Sequence, residues 1–224
     1  MVNIVAVAFF YLIGVATFLI INELIYRRLG VQGEFTRKFA HFSVALATLP
    51  FPYIFPSHWY VLVLALVFAL FLFATWRSRH LGSIHSIERK SWGSYLLPLS
   101  IYLTFLVSDL AENKFLYILP MLILAVCDPL AAILGMNIKK MNGQIKIFGK
   151  PIQKTWIGSG AFFILSFLIS IIALYLHLTV LDLKTFWLAF AVATAGTLAE
   201  LVSWRGVDNL TIPFGVLLVL LLFL

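Results

Sequence analysis

Residues 114–135 read KFLYILPMLILAVCDPLAAILG, and after Lys114 the only charge in the run is Asp128, followed by Pro129. About 20 apolar residues in a helix cross the roughly 30 Å hydrocarbon layer of a bilayer, so this stretch reads as a membrane span. Its carboxylate is costly at that depth and marks a candidate functional group. Seven further runs of the same kind lie at 2–26, 37–55, 58–76, 94–110, 156–178, 184–203 and 209–224, the last of them short. Backbone amides in lipid need internal partners, which makes these segments helices. The expected architecture is all-α, a polytopic integral membrane protein with seven or eight transmembrane helices. Eight spans with both termini outside fit best, in a single domain over 1–224.

Composition agrees with that reading. Of 224 residues, 62% are hydrophobic and 11% charged, against roughly a quarter charged in soluble proteins. A water-soluble domain and a disordered chain are both excluded. Cys127 is the single cysteine, so no internal disulfide forms, and no zinc-type His/Cys spacing occurs. Segment 2–26 lacks a basic leader and a small-residue cleavage site, and is expected to stay as the first span.

The net charge of +7 is distributed by topology. All of the 16 Lys and Arg residues except Lys114 and Lys184 fall in alternate connections, the pattern of the positive-inside rule. Those connections, including the polar loops 77–93 and 136–155, are expected to face the cytoplasm, and nucleic acid is not an expected partner. Outer turns such as Asp109–Asn113 and Asp182–Lys184 are assigned no function.

Spans 2, 4, 6 and 8 begin on the cytoplasmic face, where helix N-termini present unpaired N–H groups and positive dipole ends. Their starts carry Thr36-Arg37-Lys38 with His41 one turn on, Gly93-Ser94, Lys154-Thr155 with Gly158-Ser159-Gly160, and Asp208-Asn209. Such ends suit phosphate oxygens. Spans 5 and 7 end on the same face and hold Asp128 and Glu200 inside apolar runs. Pro129 removes a helical hydrogen bond beside Asp128, which predicts a kink and a local opening. Each residue also has an ordinary reading: the basic ones as orientation charges, the glycines as points of close helix approach, the acids as structural ion-pair partners. No Walker A pattern or Ser/His/Asp spacing is present.

Taken in order, Arg37-Lys38-Phe-Ala-His41, Gly93-Ser94-Tyr-Leu-Leu-Pro98, Asp128-Pro-Leu-Ala131 through Gly135, Lys154-Thr155-Trp-Ile-Gly158-Ser159, and Glu200 followed by Asp208-Asn209 through Pro213 resemble the CTP-dependent lipid-alcohol kinase family. That family comprises dolichol kinase, phytol kinase and a CTP-dependent diacylglycerol kinase, with a distant likeness to phosphatidate cytidylyltransferase. The resemblance spans about 37–213 and implies transfer of the γ-phosphate of CTP to the hydroxyl of a lipid alcohol, with Mg²⁺ as cofactor. One position departs from the family pattern: Ile157 stands where Glu is expected in K-[ST]-x-E-G-[ST].

The resemblance implies catalytic roles for Asp128, Glu200, Asp208 and Lys154. Arg37, Lys38, His41, Gly135, Thr155, Gly158, Ser159 and Asn209 become candidate nucleotide or phosphate contacts, and Asp128 and Glu200 candidate metal ligands. Glu200 and Asp208 remain alternatives as second metal ligand or proton acceptor. A prokaryotic inner membrane, with the active site facing the cytoplasm, is the expected location, and membrane lipids, CTP and a lipid alcohol are the expected partners. Two alternatives stand beside the kinase: a cytidylyltransferase acting on a lipid phosphate, and a small transporter using its buried acids for ions.

Overall fold

The computed structural model describes residues 4–29, 33–77, 92–138, 143–147 and 150–224. Among them run α1 (Ile4–Leu29), α2 (Gly33–Thr48), the single turn α3 (Phe51–Ile54), α4 (His58–Arg77), α5 (Gly93–Leu110) and α6 (Phe115–Asn137). Strands β1 (Gln144–Ile147) and β2 (Lys150–Thr155) follow, then α7 (Trp156–Leu178), α8 (Leu183–Val202) and α9 (Asp208–Phe223). Six of these helices, α1 and α4 to α8, are long and apolar enough to cross a membrane, and α9 is a shorter apolar helix. The chain is an all-α polytopic membrane protein, to which the hairpin adds one small antiparallel ladder between the ends of α6 and α7.

The eight long helices coincide with the eight expected spans, with one informative shift. Helix α2 starts at Gly33 rather than near 37, so Arg37 and Lys38 lie within its first turns instead of at its threshold. The second half of that expected span breaks at Thr48 and resumes as α3, where Pro50 precedes the turn and Pro52 lies within it. Proline is tolerated in a first helical turn because the amide it lacks has no intrahelical partner there.

Helix α6 is the axis of the molecule. Over half of its apolar window is buried, against 6% for α1, and Tyr117, Leu119, Met121, Ile123 and Leu124 are fully enclosed. It packs against α2, α5, α7 and α9. Lipid tails are as apolar as Leu, so helices in a bilayer associate through close van der Waals contact at small residues. Gly135 and Gly158 supply such a contact: a Cβ on Gly158 would stand 3.0 Å from the Ala131 carbonyl, and one on Gly135 only 2.7 Å from Thr155 Oγ1. Gly215 similarly lets α9 approach the Ala195 carbonyl and the Ala199 methyl of α8. Helix α6 continues through Pro129 as it does through Pro120.

Candidate functional site

Alternating helix direction brings the ends of α1, α4, α6 and α8 and the starts of α2, α5, α7 and α9 to one end of the bundle. Two buried ion-pair systems form there. Lys38 Nζ of α2 donates to Asp128 Oδ2 of α6 at 2.6 Å, with 9% and 4% of the two side chains exposed. Lys154, at the end of β2, lies 2.6 Å from Glu200 Oε1 of α8 and 3.6 Å from Asp208 Oδ2 of α9. Ser159 Oγ of α7 donates to the other Glu200 oxygen at 3.0 Å. Both oxygens of Glu200 are thus engaged, and Asp208 stands at the more exposed edge.

Lys154 lies outside the spans, and its ionisation follows from these neighbours. Burial disfavours the ammonium, but the charges of Asp208, Glu200 and Asp128 outweigh that cost and raise its pKa above the ordinary lysine value. Lys154 is therefore a fixed cation at any physiological pH, suited to holding phosphate and unsuited to accepting a proton.

Further contacts close this end. Asn209 Nδ2 donates to the Gly93 carbonyl at 2.7 Å, and the Trp92 amide donates to the Arg205 carbonyl at 2.9 Å, locking the starts of α5 and α9 together. Arg205 and Gly206 make the turn with φ of 51° and 89°; the second suits glycine, which has no Cβ to clash. Thr155 caps α7 by accepting the Gly158 amide on its hydroxyl at 3.2 Å. Arg37, Lys38, His41, Ser94 and Asn209 line a polar pocket of about 500 Å³, its open mouth included. His41 is 9% exposed, and its Nε2 is buried without a hydrogen-bond partner among the described residues.

All twelve candidate residues therefore collect at one end, but their local duties divide. Lys38, Asp128, Lys154, Glu200, Asp208 and Ser159 form the charged set. Arg37, His41 and Asn209 line the pocket. Gly135, Thr155 and Gly158 make the α6–α7 contact and the α7 cap: Gly158 spends its amide on Thr155, and close packing is the role its geometry shows. Among the described residues no group of three or more His, Cys, Asp or Glu side chains gathers as a metal cluster, and Asp128 and Glu200 face different lysines. With Ile157 in the family's Glu position, the carboxylates meeting Lys154 come from α8 and α9. The basic residues Arg79, Arg89, Lys90, Lys139 and Lys140 and the glycine Gly149 lie outside the described residues, as does most of loop 77–93.

Sequence reasoning passed over Glu23 and Asn22 of α1. Glu23 is 8% exposed and meets Arg27 Nε at 2.6 Å, and Asn22 Nδ2 donates to the Thr36 carbonyl at 3.2 Å, tying α1 to α2. An acid inside an apolar run was the available signal, as for Asp128. The hairpin was also legible, in the two-residue alternation Gln144-Ile145-Lys146-Ile147.

Comparison with known proteins bears on the same arrangement. The chain is similar to a phytol kinase. That protein, from Synechocystis sp., is 29% identical over 201 residues, covering 86% of this chain and 81% of the relative. The likeness to the phytol kinase takes in most of the chain and, at modest identity, supports the resemblance to a polyprenol and phytol kinase-like family. No family model matches the chain, and no solved structure matches it.

Proposed function

We propose that this protein phosphorylates a lipid alcohol, taking the γ-phosphate from CTP at the bundle end where Lys38–Asp128 and Lys154–Glu200–Asp208 converge. The carrying observation is that convergence: four helices and a hairpin strand bring two lysines and three carboxylates to one largely buried place, in a chain similar to a phytol kinase over most of its length. Phosphoryl transfer asks a protein mainly for positioning and charge stabilisation, and a fixed cation beside a polar pocket supplies both.

Lys154 and Lys38, with Arg37 at the pocket wall, meet the phosphates. Glu200 and Asp208 hold Lys154 in place, Ser159 fixing the Glu200 carboxylate. The lipid hydroxyl oxygen attacks the γ-phosphorus in line, the bridging bond between the β- and γ-phosphates breaks, and CDP leaves while the hydroxyl proton passes to His41 Nε2. Mg²⁺ fits the hard oxygen donors available, since it uses one or two carboxylates together with substrate phosphates and keeps several waters. Asp128 is the ligand the geometry favours, because Lys38 occupies only its Oδ2 and both Glu200 oxygens are spent. Held there by Asp128, a Mg²⁺ ion would supply positive charge to the phosphates.

Purified protein incubated with γ-labelled CTP, Mg²⁺ and prenyl alcohols tests this reading, which expects label in the extracted lipid and CDP in solution. Pyrophosphate release with the cytidylyl group in the lipid would instead favour the cytidylyltransferase. The site end faces the cytoplasm in this proposal. Single cysteines at Asn113 and Thr179 then react with impermeant reagents from outside, and those at Ser86 and Asn142, both outside the described residues, react only after permeabilisation.

A further inference from the structure

The polar pocket does not end at His41. It shares Val44 and Phe68 with a second, nearly apolar pocket of about 470 Å³ set between α1, α2, α4 and α5, which in turn shares Tyr11, Val15, Val44 and Ala47 with a groove of about 850 Å³ along α1 and α2, open space included in both volumes. Val44 lines all three spaces. At about 1.5 Å per residue, Val44 and Ala47 lie roughly 4.5 Å and 9 Å along the α2 axis from His41. The three spaces thus adjoin one another in order, from the pocket of a buried imidazole nitrogen without a partner, past apolar walls, to the outer face of α1, where Phe10 is 69% exposed.

The geometry points to a tail site: the slot bounded by Val44, Ala47 and Phe68 holds the single hydrocarbon chain of the acceptor alcohol, entering between α1 and α2, with its hydroxyl hydrogen-bonded to His41 Nε2. This rests on the lipid-alcohol kinase reading and adds how the acceptor is held. Three observations support it. A partnerless buried Nε2 is costly unless a ligand satisfies it, and the hydroxyl of an alcohol whose tail lies in the adjoining apolar slot is placed to do so. The inner slot is lined almost wholly by apolar side chains, among them Val44, Ala47, Val61, Leu64 and Phe68, which suits a hydrocarbon chain. Gly14 leaves the groove open on the α1 side, with nothing within 4 Å of where its Cβ would stand.

Two measurements on the full-length protein decide the matter. A long prenyl alcohol with a photoreactive diazirine in its tail is expected to label the α1, α2 and α4 residues around Ala47 and Phe68, and unlabelled alcohol should compete. Labelling confined to α7 and α8, or competed equally by a phospholipid, overturns the tail site. In the second, Gly14→Leu and Ala47→Phe fill the passage. Losing the burial of about two methylenes corresponds to about a 10-fold change, so the preference for a long over a single-unit prenyl alcohol should drop by that factor while KM for CTP holds. Unchanged preference in both variants, in an active enzyme, overturns the tail site and leaves the kinase reading intact. If the wild type phosphorylates no alcohol yet the label maps to the slot, the kinase reading falls and the tail site stands.

Discussion

Both ends of the bundle carry charged residues, yet they use them differently. At the Lys154 end the pairs join segments far apart in sequence: Lys38 with Asp128, Lys154 with Glu200 and Asp208. Opposite, the interactions cap helix starts or lie at the exposed surface, whatever the separation of their partners in sequence. Asp182 caps α8 through the Thr185 amide at 2.8 Å, Asp109 accepts the His58 amide at 2.9 Å, and Lys114 lies 4.4 Å from the centre of the Tyr53 ring. The second set finishes helices. The first sinks charge into the bundle at a desolvation cost that structure alone does not reward, since a buried ion pair is often no more stabilising than apolar packing. Charge kept at such cost points to a site.

The sharpest way to break this contrast is to remove one charge at the Lys154 end without changing shape. Asp128→Asn is expected to lower lipid phosphorylation by about 10²-fold or more, the scale of losing a principal electrostatic group, while the detergent-solubilised protein still folds. Added Mg²⁺ should recover part of the loss. Near wild-type turnover at low Mg²⁺ would remove Asp128 from the site. Lys154→Met should abolish turnover and also cost about 3 kcal/mol in detergent unfolding, because two buried carboxylates then face each other unpaired.

Packing variants come next. Gly158→Ala pushes a methyl to 3.0 Å from the Ala131 carbonyl and is expected to cost about 1–3 kcal/mol by overpacking. Gly160→Ala, with nothing within 4 Å, should be neutral or stabilising, since Ala favours a helix by about 1 kcal/mol over Gly. Thermal unfolding of the pair separates close packing from phosphate cradling.

Titration distinguishes the ends more gently. Lys154 has its pKa raised on folding, so its contribution is complete below the ordinary lysine value of about 10.4 and fades only as pH climbs through the raised one. Stability should show an alkaline limb that Lys154→Met removes. Asp182 is shifted the other way, its carboxyl held below the usual range by hydrogen bonds from the Thr185 amide and hydroxyl. Its contribution is present above the ordinary Asp value and is lost as pH falls through the lowered one. Asp182→Ala should therefore give the smallest effect, a slight drop in melting temperature at neutral pH with turnover unaltered.

How much of this was legible in the chain follows from the range of the forces involved. Span positions were read to within a few residues because hydropathy is a sum over consecutive residues, and its shortfall at the start of α2 is equally physical: Gly33, Glu34 and Thr36 depress the local average although the helix includes them. Asp128 and Glu200 stood out because an acid in an apolar run is visible in one dimension. Their partners were candidates as well, but the pairing was not legible. Lys38 met Asp128 only when α2 packed on α6, 90 residues away, and the close approach of Gly158 to Gly135 needed α7 to pack on α6.

The sequence by itself determined that this chain crosses the membrane as helices, which residue types are expensive there, and through alternating direction that those residues share one end. The tertiary structure alone decided which lysine faces which carboxylate, that Glu200 has both oxygens engaged, and that an apolar pocket adjoins the one His41 lines. Burial cost is a property of each residue in lipid and can be read one position at a time. Pairing and cavities depend on the angles and distances between helices, and those emerge only when small residues such as Gly135, Gly158 and Gly215 let particular surfaces touch.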